Sequence, residues 1–173
     1  NSQRGLSMKI IETARMRLRP LTIEDAQNVF EGAGDAIVNK YMPYPLHENV
    51  HVAEEWIRSL KDKNEFGFCL KETGKVIGAG SVVYREENRA YELGYNLNRN
   101  FWGMGYATEA AKAMIEWAYK NLGAKDFFAR HANENKASGN VIVKCGFTFE
   151  KYGQYKSYDG RQVFEASYYT LHL

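Results

Sequence analysis

The chain has only two cysteines, Cys69 and Cys145, in 173 residues. That is too few for a disulfide scaffold, and both sit in apolar stretches, so a reducing cytoplasm is the expected compartment. No apolar run approaches the roughly 18 residues of a membrane span. The opening, NSQRGLSMK, lacks the apolar centre of a signal peptide. Neither sign of charge prevails: 23 basic and 21 acidic side chains leave a formal +2. The two signs are interspersed, which gives no case for a nucleic-acid or membrane partner. No set of His, Cys and acidic residues has the spacing of metal ligands, and there is no internal repeat. What these absences leave is one globular domain with a sizeable core. Met8 reads as the natural first residue, with residues 1–7 a cloning remnant and 8–173 the domain.

Hydrophobic period then orders the chain. RMRLRP alternates Met16 and Leu18 with arginines, the pattern of a strand with one wet face. Thr22 and Asp25 resemble a capping box in front of a short helix in TIEDAQNVFEG. After the aromatic and proline-bearing loop YMPYPL, the residues Ala53, Trp56, Ile57 and Leu60 form one face of a second helix. FGFCLKETGKVIGAGSVVY and YELGYNLN change to strand period, with turn residues at Glu72 to Lys75, and predict an antiparallel meander of three strands. From Ala107 the positions Ala110, Ala111, Met114, Ile115, Ala118 and Leu122 return to helical spacing, and Gly123 supplies a stop. KDFFARHA is another strand, NKASGNVIVKCGF a helix ending at Gly146, and FTFEKYGQYK with VFEASYYTLHL a closing pair around Asp159 and Gly160. The expected order is β-α-α-β-β-β-α-β-α-β-β, a mixed α+β arrangement.

WGMGYATEA places Gly103 and Gly105 directly before the long helix. Glycine there costs conformational entropy, so the backbone must approach something closely or take φ values that other residues avoid. Three readings compete: a flexible connector, a dinucleotide fingerprint, and a phosphate cradle. The fingerprint fails because position 108 is Thr and the preceding strands form a meander. A cradle needs the backbone N–H groups around Gly103 to Ala107 and the positive end of the helix that follows.

The segment resembles the acetyl-CoA loop of the GNAT superfamily of N-acetyltransferases, Q/R-x-x-G-x-G/A after the fourth strand, with Asn100 in the first position. WGMGYATEA, ARMRLRPLTIEDA and NKASGNVIVKCGF are similar to segments of the ribosomal-protein alanine N-acetyltransferase branch, and the likeness covers about residues 10 to 171. It implies a mostly antiparallel, twisted mixed sheet whose fourth and fifth strands splay apart to admit pantetheine. It also implies acetyl-CoA contacts at Leu97, Asn98, Trp102, Gly103, Met104, Gly105, Tyr106, Ala107, Asn135 and Ser138.

Acetyl transfer to an amine needs a neutral nucleophile, a polarised thioester carbonyl and a proton for the thiolate. Glu92, in AYELGY, is the expected proton acceptor, against its reading as a solvated glutamate on a strand. In many members of the family a tyrosine protonates the thiolate. Here that position is Ile142, which leaves Ser138 as the donor the motif offers, although Asn135 and Ser138 also suit a helix cap. A backbone N–H at a bulge near Tyr95 to Leu97, eased by Gly94, is the expected oxyanion donor. His131, His47 and His51 are uncommitted. The acceptor is read as a protein N-terminal α-amine, acetylated directly in a ternary complex. Its reference pKa near 8, against about 10.4 for lysine, suits a carboxylate base. A polyamine, amino sugar or amino acid is the alternative, as is a non-catalytic acetyl-CoA-binding module. Either a monomer or a homodimer is compatible with these features.

Overall fold

The computed structural model describes residues 9–61 and 63–173. The remnant expected at residues 1–7, and Met8, lie outside the described residues. Eight strands form one sheet: β1 Ile11–Glu12, β2 Met16–Arg19, β3 Glu65–Leu70, β4 Val76–Arg85, β5 Ala90–Leu97, β6 Asp126–Ala132, β7 Thr148–Lys156 and β8 Val163–His172. Their spatial order is 1-2-3-4-5-6-8-7. Every neighbouring pair is antiparallel except β5 and β6. The helices are α1 Ala26–Ala33, α2 Ala36–Asn39, α3 Val50–Ser59, α4 Tyr106–Leu122 and α5 Lys136–Lys144.

The order follows the sequence reading with two additions. β1 has two residues and α2 has four, too few to display a period of 2 or 3.6. Asp35 accepts a hydrogen bond from the Ile37 N–H at 3.0 Å and starts α2. No helix among the described residues is long and apolar enough to cross a membrane.

The apolar stripe of α4 is buried as its spacing requires, with Ala110, Ala111, Met114 and Ala118 packed against Phe66, Phe68, Val82, Leu93 and Phe127 of the sheet. Burying each of those phenylalanines contributes roughly 1.5–3 kcal/mol. On the other face, Ala26 of α1 meets Ala53 and Ile57 of α3, with Leu21, Val29 and Phe30 around them. Arg19 of β2 ties the start of that layer to the sheet, donating to both oxygens of Asp25 at 2.8 and 2.9 Å. Asp25 also accepts the Thr22 N–H at 2.8 Å, the reciprocal half of the anticipated capping box. Burial works to raise the Asp25 pKa, but the hydrogen bonds from Arg19 and Thr22 outweigh it and hold the carboxyl below its ordinary range.

What positions the functional site is the ladder at the middle of the sheet. β5 pairs with β6 only at Tyr91 with Phe127 and Glu92 with Phe128, while β6 continues beside β8 as far as Ala132. From Leu93 onward β5 has no strand on that side, which is the expected splay between the fourth and fifth strands of the sequence reading. Tyr95 spans the gap, its phenol oxygen 3.0 Å from Ser138 Oγ on α5.

Candidate active site

The long helix begins at Gly105 with a backbone that only glycine adopts freely. φ is +74° at Gly103 and +82° at Gly105, the left-handed region that costs other residues roughly 1–2 kcal/mol. Both glycines are therefore conformational necessities, and each has a further reason. A Cβ on Gly103 would meet no protein atom within 4 Å, so open space lies in front of it, whereas a Cβ on Gly105 would stand 3.4 Å from Arg15 Nη2. No side chain caps the N-terminus of α4. Its first N–H groups have no partner within the helix, and the helix dipole is positive there.

The loop is braced from behind. The Arg15 guanidinium donates to the Met104 carbonyl at 2.9 Å and to Glu109 at 2.8 Å, and lies 3.9 Å from the centroid of the Tyr106 ring. Burial would raise the Glu109 pKa, but hydrogen bonds from Thr13 and Arg15 hold it down. Trp102 turns its indole N–H to the Leu97 carbonyl at 2.8 Å, which pins the loop to the end of β5. A curved set of free N–H groups with open space in front fits a pyrophosphate. These are the atoms that residues 103–107 would offer to coenzyme A.

The backbone of β5 sorts the remaining cofactor positions. Asn98 N–H bonds to Ile77 O of β4 at 2.7 Å, and strand groups alternate from edge to edge. Leu93, Tyr95 and Leu97 therefore turn their N–H groups into the splay. Asn98 does not: its N–H is held by β4, its carbonyl accepts from Phe101 at 2.9 Å, and its side chain accepts from Asn100 N–H. The backbone contact to pantetheine expected at Asn98 is thus already committed within the protein, while the Leu97 N–H still faces the gap, its carbonyl accepting from Trp102. The expected bulge is also absent, because the β4–β5 ladder runs from Gly78 opposite Leu97 to Arg85 opposite Ala90 with no register shift. The splay leaves the Tyr95 N–H open without a bulge.

A cleft of about 380 Å³ passes through the splay and opens on the face opposite α4, lined by Tyr44, Glu65, Ser81, Glu92, Asn96 and Tyr158 among others. Glu92 lies in it, but two cations already hold the carboxylate: Arg85 Nε at 3.0 Å and Arg130 Nε at 3.6 Å. An amine approaching Glu92 must compete with both. Ser138 also lines the cleft, its N–H donating to Asn135 Oδ1 at 3.3 Å, so Asn135 is the cap of α5. The Ser138 hydroxyl is paired with Tyr95, and burial pushes the Tyr95 phenol up to about 12. Ile142, where the usual tyrosine would stand, is packed in the core at 1% exposure.

Sequence reasoning missed the Tyr95 phenol, Arg15, Glu65 and Ser81. In sequence, Tyr95 counts only for its backbone, as one end of the expected bulge, and the meeting of its phenol with Ser138 is a tertiary fact. Of the histidines, His131 is buried with Nδ1 donating to the Ala132 carbonyl at 2.7 Å and Nε2 3.1 Å from the Tyr169 hydroxyl. His47 is buried beside Trp56, where desolvation lowers its pKa. His51 is exposed on α3 next to Glu54.

Residues 15–148 match the acetyltransferase (GNAT) domain family. The chain is 31% identical over 159 residues to the uncharacterised N-acetyltransferase p20 of Bacillus licheniformis, covering 88% of each chain. It is 24% identical over 167 residues to the spermidine N(1)-acetyltransferase of Escherichia coli K12, covering 91% of this chain and 90% of that one. In structure it is similar to the ribosomal-protein-S5-alanine acetyltransferase of Vibrio fischeri, with a TM-score of 0.75, 18% identity, and coverage of 94% of this chain and 96% of that one. A likeness at that identity carries the fold.

Proposed function

We propose that this chain, which belongs to the GNAT acetyltransferase family and so transfers acetyl from acetyl-CoA to an amine, takes the α-amine of a protein or peptide N-terminus by direct transfer in a ternary complex. The observation that carries the acceptor class is the charge of the cleft. Its charged walls are Glu65, Arg85, Glu92 and Arg130, two acids and two bases, and Glu92 is engaged by both arginines. A polyamine, with several amines each ionising near pH 10, gains little from such a lining. An N-terminus carries one ionisable amine of reference pKa near 8, followed by a backbone that tyrosine hydroxyls can hydrogen-bond. Tyr41, Tyr44, Tyr155 and Tyr158 supply such walls.

Acetyl-CoA, when bound, brings a thioester whose carbonyl carbon accepts the amine's electron pair and whose sulfur leaves as thiolate. In this reading Gly103 to Ala107 hold the pyrophosphate through backbone N–H groups, and Leu97 and Tyr95 present backbone into the splay. The Tyr95 N–H is aimed where an oxyanion donor is needed. Glu92 is one candidate to receive the amine's proton, at the cost of releasing an arginine. The Ser138 and Tyr95 hydroxyls are the candidate donors for the thiolate. Burial keeps the Tyr95 phenol protonated, so the pair can donate a hydrogen bond to the departing thiolate, while complete transfer from so weak an acid is uphill against a thiol of pKa about 8.5.

Ser138→Ala and Tyr95→Phe are each expected to lower turnover by about tenfold, near 1.4 kcal/mol of barrier, because a thiolate leaves with little help. Steady-state kinetics beside melting curves checks this. A lower melting temperature with turnover untouched would leave the pair a structural tie between β5 and α5.

The acceptor reading is tested by thiol release from acetyl-CoA with peptides bearing free Ala or Ser N-termini, the same peptides blocked at the N-terminus but containing lysine, and spermidine. The free N-termini are expected to give the highest kcat/KM, by at least about tenfold. A preference for spermidine or for lysine would overturn the reading.

A further inference from the structure

Three residues on neighbouring strands form a single row across the floor of the cleft. Glu65 on β3 is opposite Ser81 on β4, and Ser81 is opposite Gly94 on β5. Residues opposite one another in a ladder point to the same face, and all three line the cleft. Gly94 adds no side chain to the row, so the space above it reaches the Ser81 hydroxyl: a Cβ built there would have Ser81 Oγ, at 3.5 Å, as its one neighbour within 4 Å. Glu65 is then roughly 10 Å from Gly94, two strand spacings, with its side chain and the serine between.

We infer that Glu65 receives the proton of the acceptor amine, passed along the row by the Ser81 hydroxyl, so that the amine meets the thioester with its electron pair free. The step is a proton transfer and balances as one. The ammonium N–H proton moves to Ser81 Oγ as the serine's own proton moves to the Glu65 carboxylate. The amine is left neutral, and Glu65 later returns the proton to water in the open cleft. This rests on the chain being an amine acetyltransferase and deepens the α-amine reading.

The surroundings of Glu65 favour it over Glu92. No described residue forms an ion pair with it, while Glu92 has two. Facing it are Tyr44 from the loop after α2, whose phenol burial pushes well above the usual range, and Lys63 at the start of the strand. Tyr158 stands in the β7–β8 hairpin, and Arg85, Glu92 and Arg130 stand along the cleft, engaged with one another. Burial raises the Glu65 pKa to about 7, a rise that the Ser81 hydrogen bond and the Lys63 charge only partly offset. A base of that strength takes a proton from an amine of pKa near 8 with a shortfall of about one unit, against more than three for an amine near 10.4.

The test compares wild type, Glu65→Gln, Ser81→Ala and Glu92→Gln from pH 5.5 to 9.5, with an Ala-peptide and with spermidine as acceptors. Wild-type kcat/KM should fall as pH drops through about 7, where Glu65 becomes protonated. Glu65→Gln should lose about 10²-fold at pH 7 and recover much of it by pH 9, where the amine is already neutral. Ser81→Ala should lose about tenfold. Separately, 13C-carboxyl glutamate labelling of the protein alone should show one resonance titrating near 7 that is absent in Glu65→Gln. Should that variant not fold, Glu65→Asp replaces it, with a lower kcat but the same acid limb expected. An unchanged rate and profile in Glu65→Gln, or a loss equal at every pH, would overturn the inference. So would a recovery at high pH seen in Glu92→Gln and not in Glu65→Gln. If the peptide is not acetylated but spermidine is, the α-amine reading fails and Glu65 is judged on the spermidine profile.

Discussion

Gly105→Val is expected to bring acetyl-CoA binding below detection by calorimetry while the protein stays folded. A valine at φ +82° is a β-branched residue in the left-handed region, where even unbranched residues are strained. Its Cβ would also lie 3.4 Å from Arg15 Nη2, the guanidinium that braces Met104 and Glu109 from behind. The loop can relieve this only by rotating the peptide units on either side of residue 105. That turns away the N–H groups that the phosphates need. A loss of at least about 100-fold, near 2.8 kcal/mol, is expected. The core under α4 is untouched, so the melting temperature should fall by only a few degrees. Gly103→Ala is the control, since its Cβ meets nothing within 4 Å. It carries the left-handed strain without touching Arg15, and its Cβ enters the open space in front of the loop, so a loss of about tenfold in affinity is expected. Unchanged affinity in Gly105→Val would return the glycine pair to a flexible connector.

How much of this was legible beforehand depended on how far apart the cooperating residues lie in the chain. The glycine pair announced an unusual backbone, and the structure puts both residues at positive φ. The period of α4 and its stop at Gly123 could be read in one window, as could the Asn135 cap of α5, because each is a matter of local spacing. β1 and α2 escaped because elements of two and four residues have no period to detect. The pairing of Tyr95 with Ser138 joins residues 43 apart, and the row from Glu65 through Ser81 to Gly94 exists only once three strands have a register. A shift of one residue in any of those ladders would turn the row to the other face. Glu92 shows the same limit. Its place on β5 followed from the strand reading, but the approach of Arg85 and Arg130 did not. The bulge expected near Tyr95 to Leu97, eased by Gly94, is absent: a glycine in a strand suggests either a bulge or a close approach, and here it leaves room in a regular ladder.

That room gives the second large effect. Gly94→Val is expected to lower kcat/KM for the acceptor by more than about 10²-fold while leaving acetyl-CoA affinity within a few-fold of wild type. The backbone at Gly94 is within reach of any residue, since its φ is not among the positive values. A Cβ there meets only Ser81 Oγ, at an ordinary 3.5 Å, so the substitution should not strain the sheet. Valine suits a strand and removes freedom from the unfolded chain, so the melting temperature should hold or rise. Its two methyl groups, however, stand in the cleft between Glu65 and Glu92, where the amine must come down toward the row. Displacing a reacting atom by about 1 Å can cost a hundredfold, and a blocked floor displaces it further. The cradle around Gly105 lies on the loop beyond β5, outside the reach of those methyls. Calorimetry with acetyl-CoA and kinetics with a peptide acceptor therefore separate the two sites, as Gly105→Val does in the opposite sense. Equal acceptor kinetics in Gly94→Val would mean that the amine does not enter over Ser81, and the cleft would lose its assignment as the acceptor site.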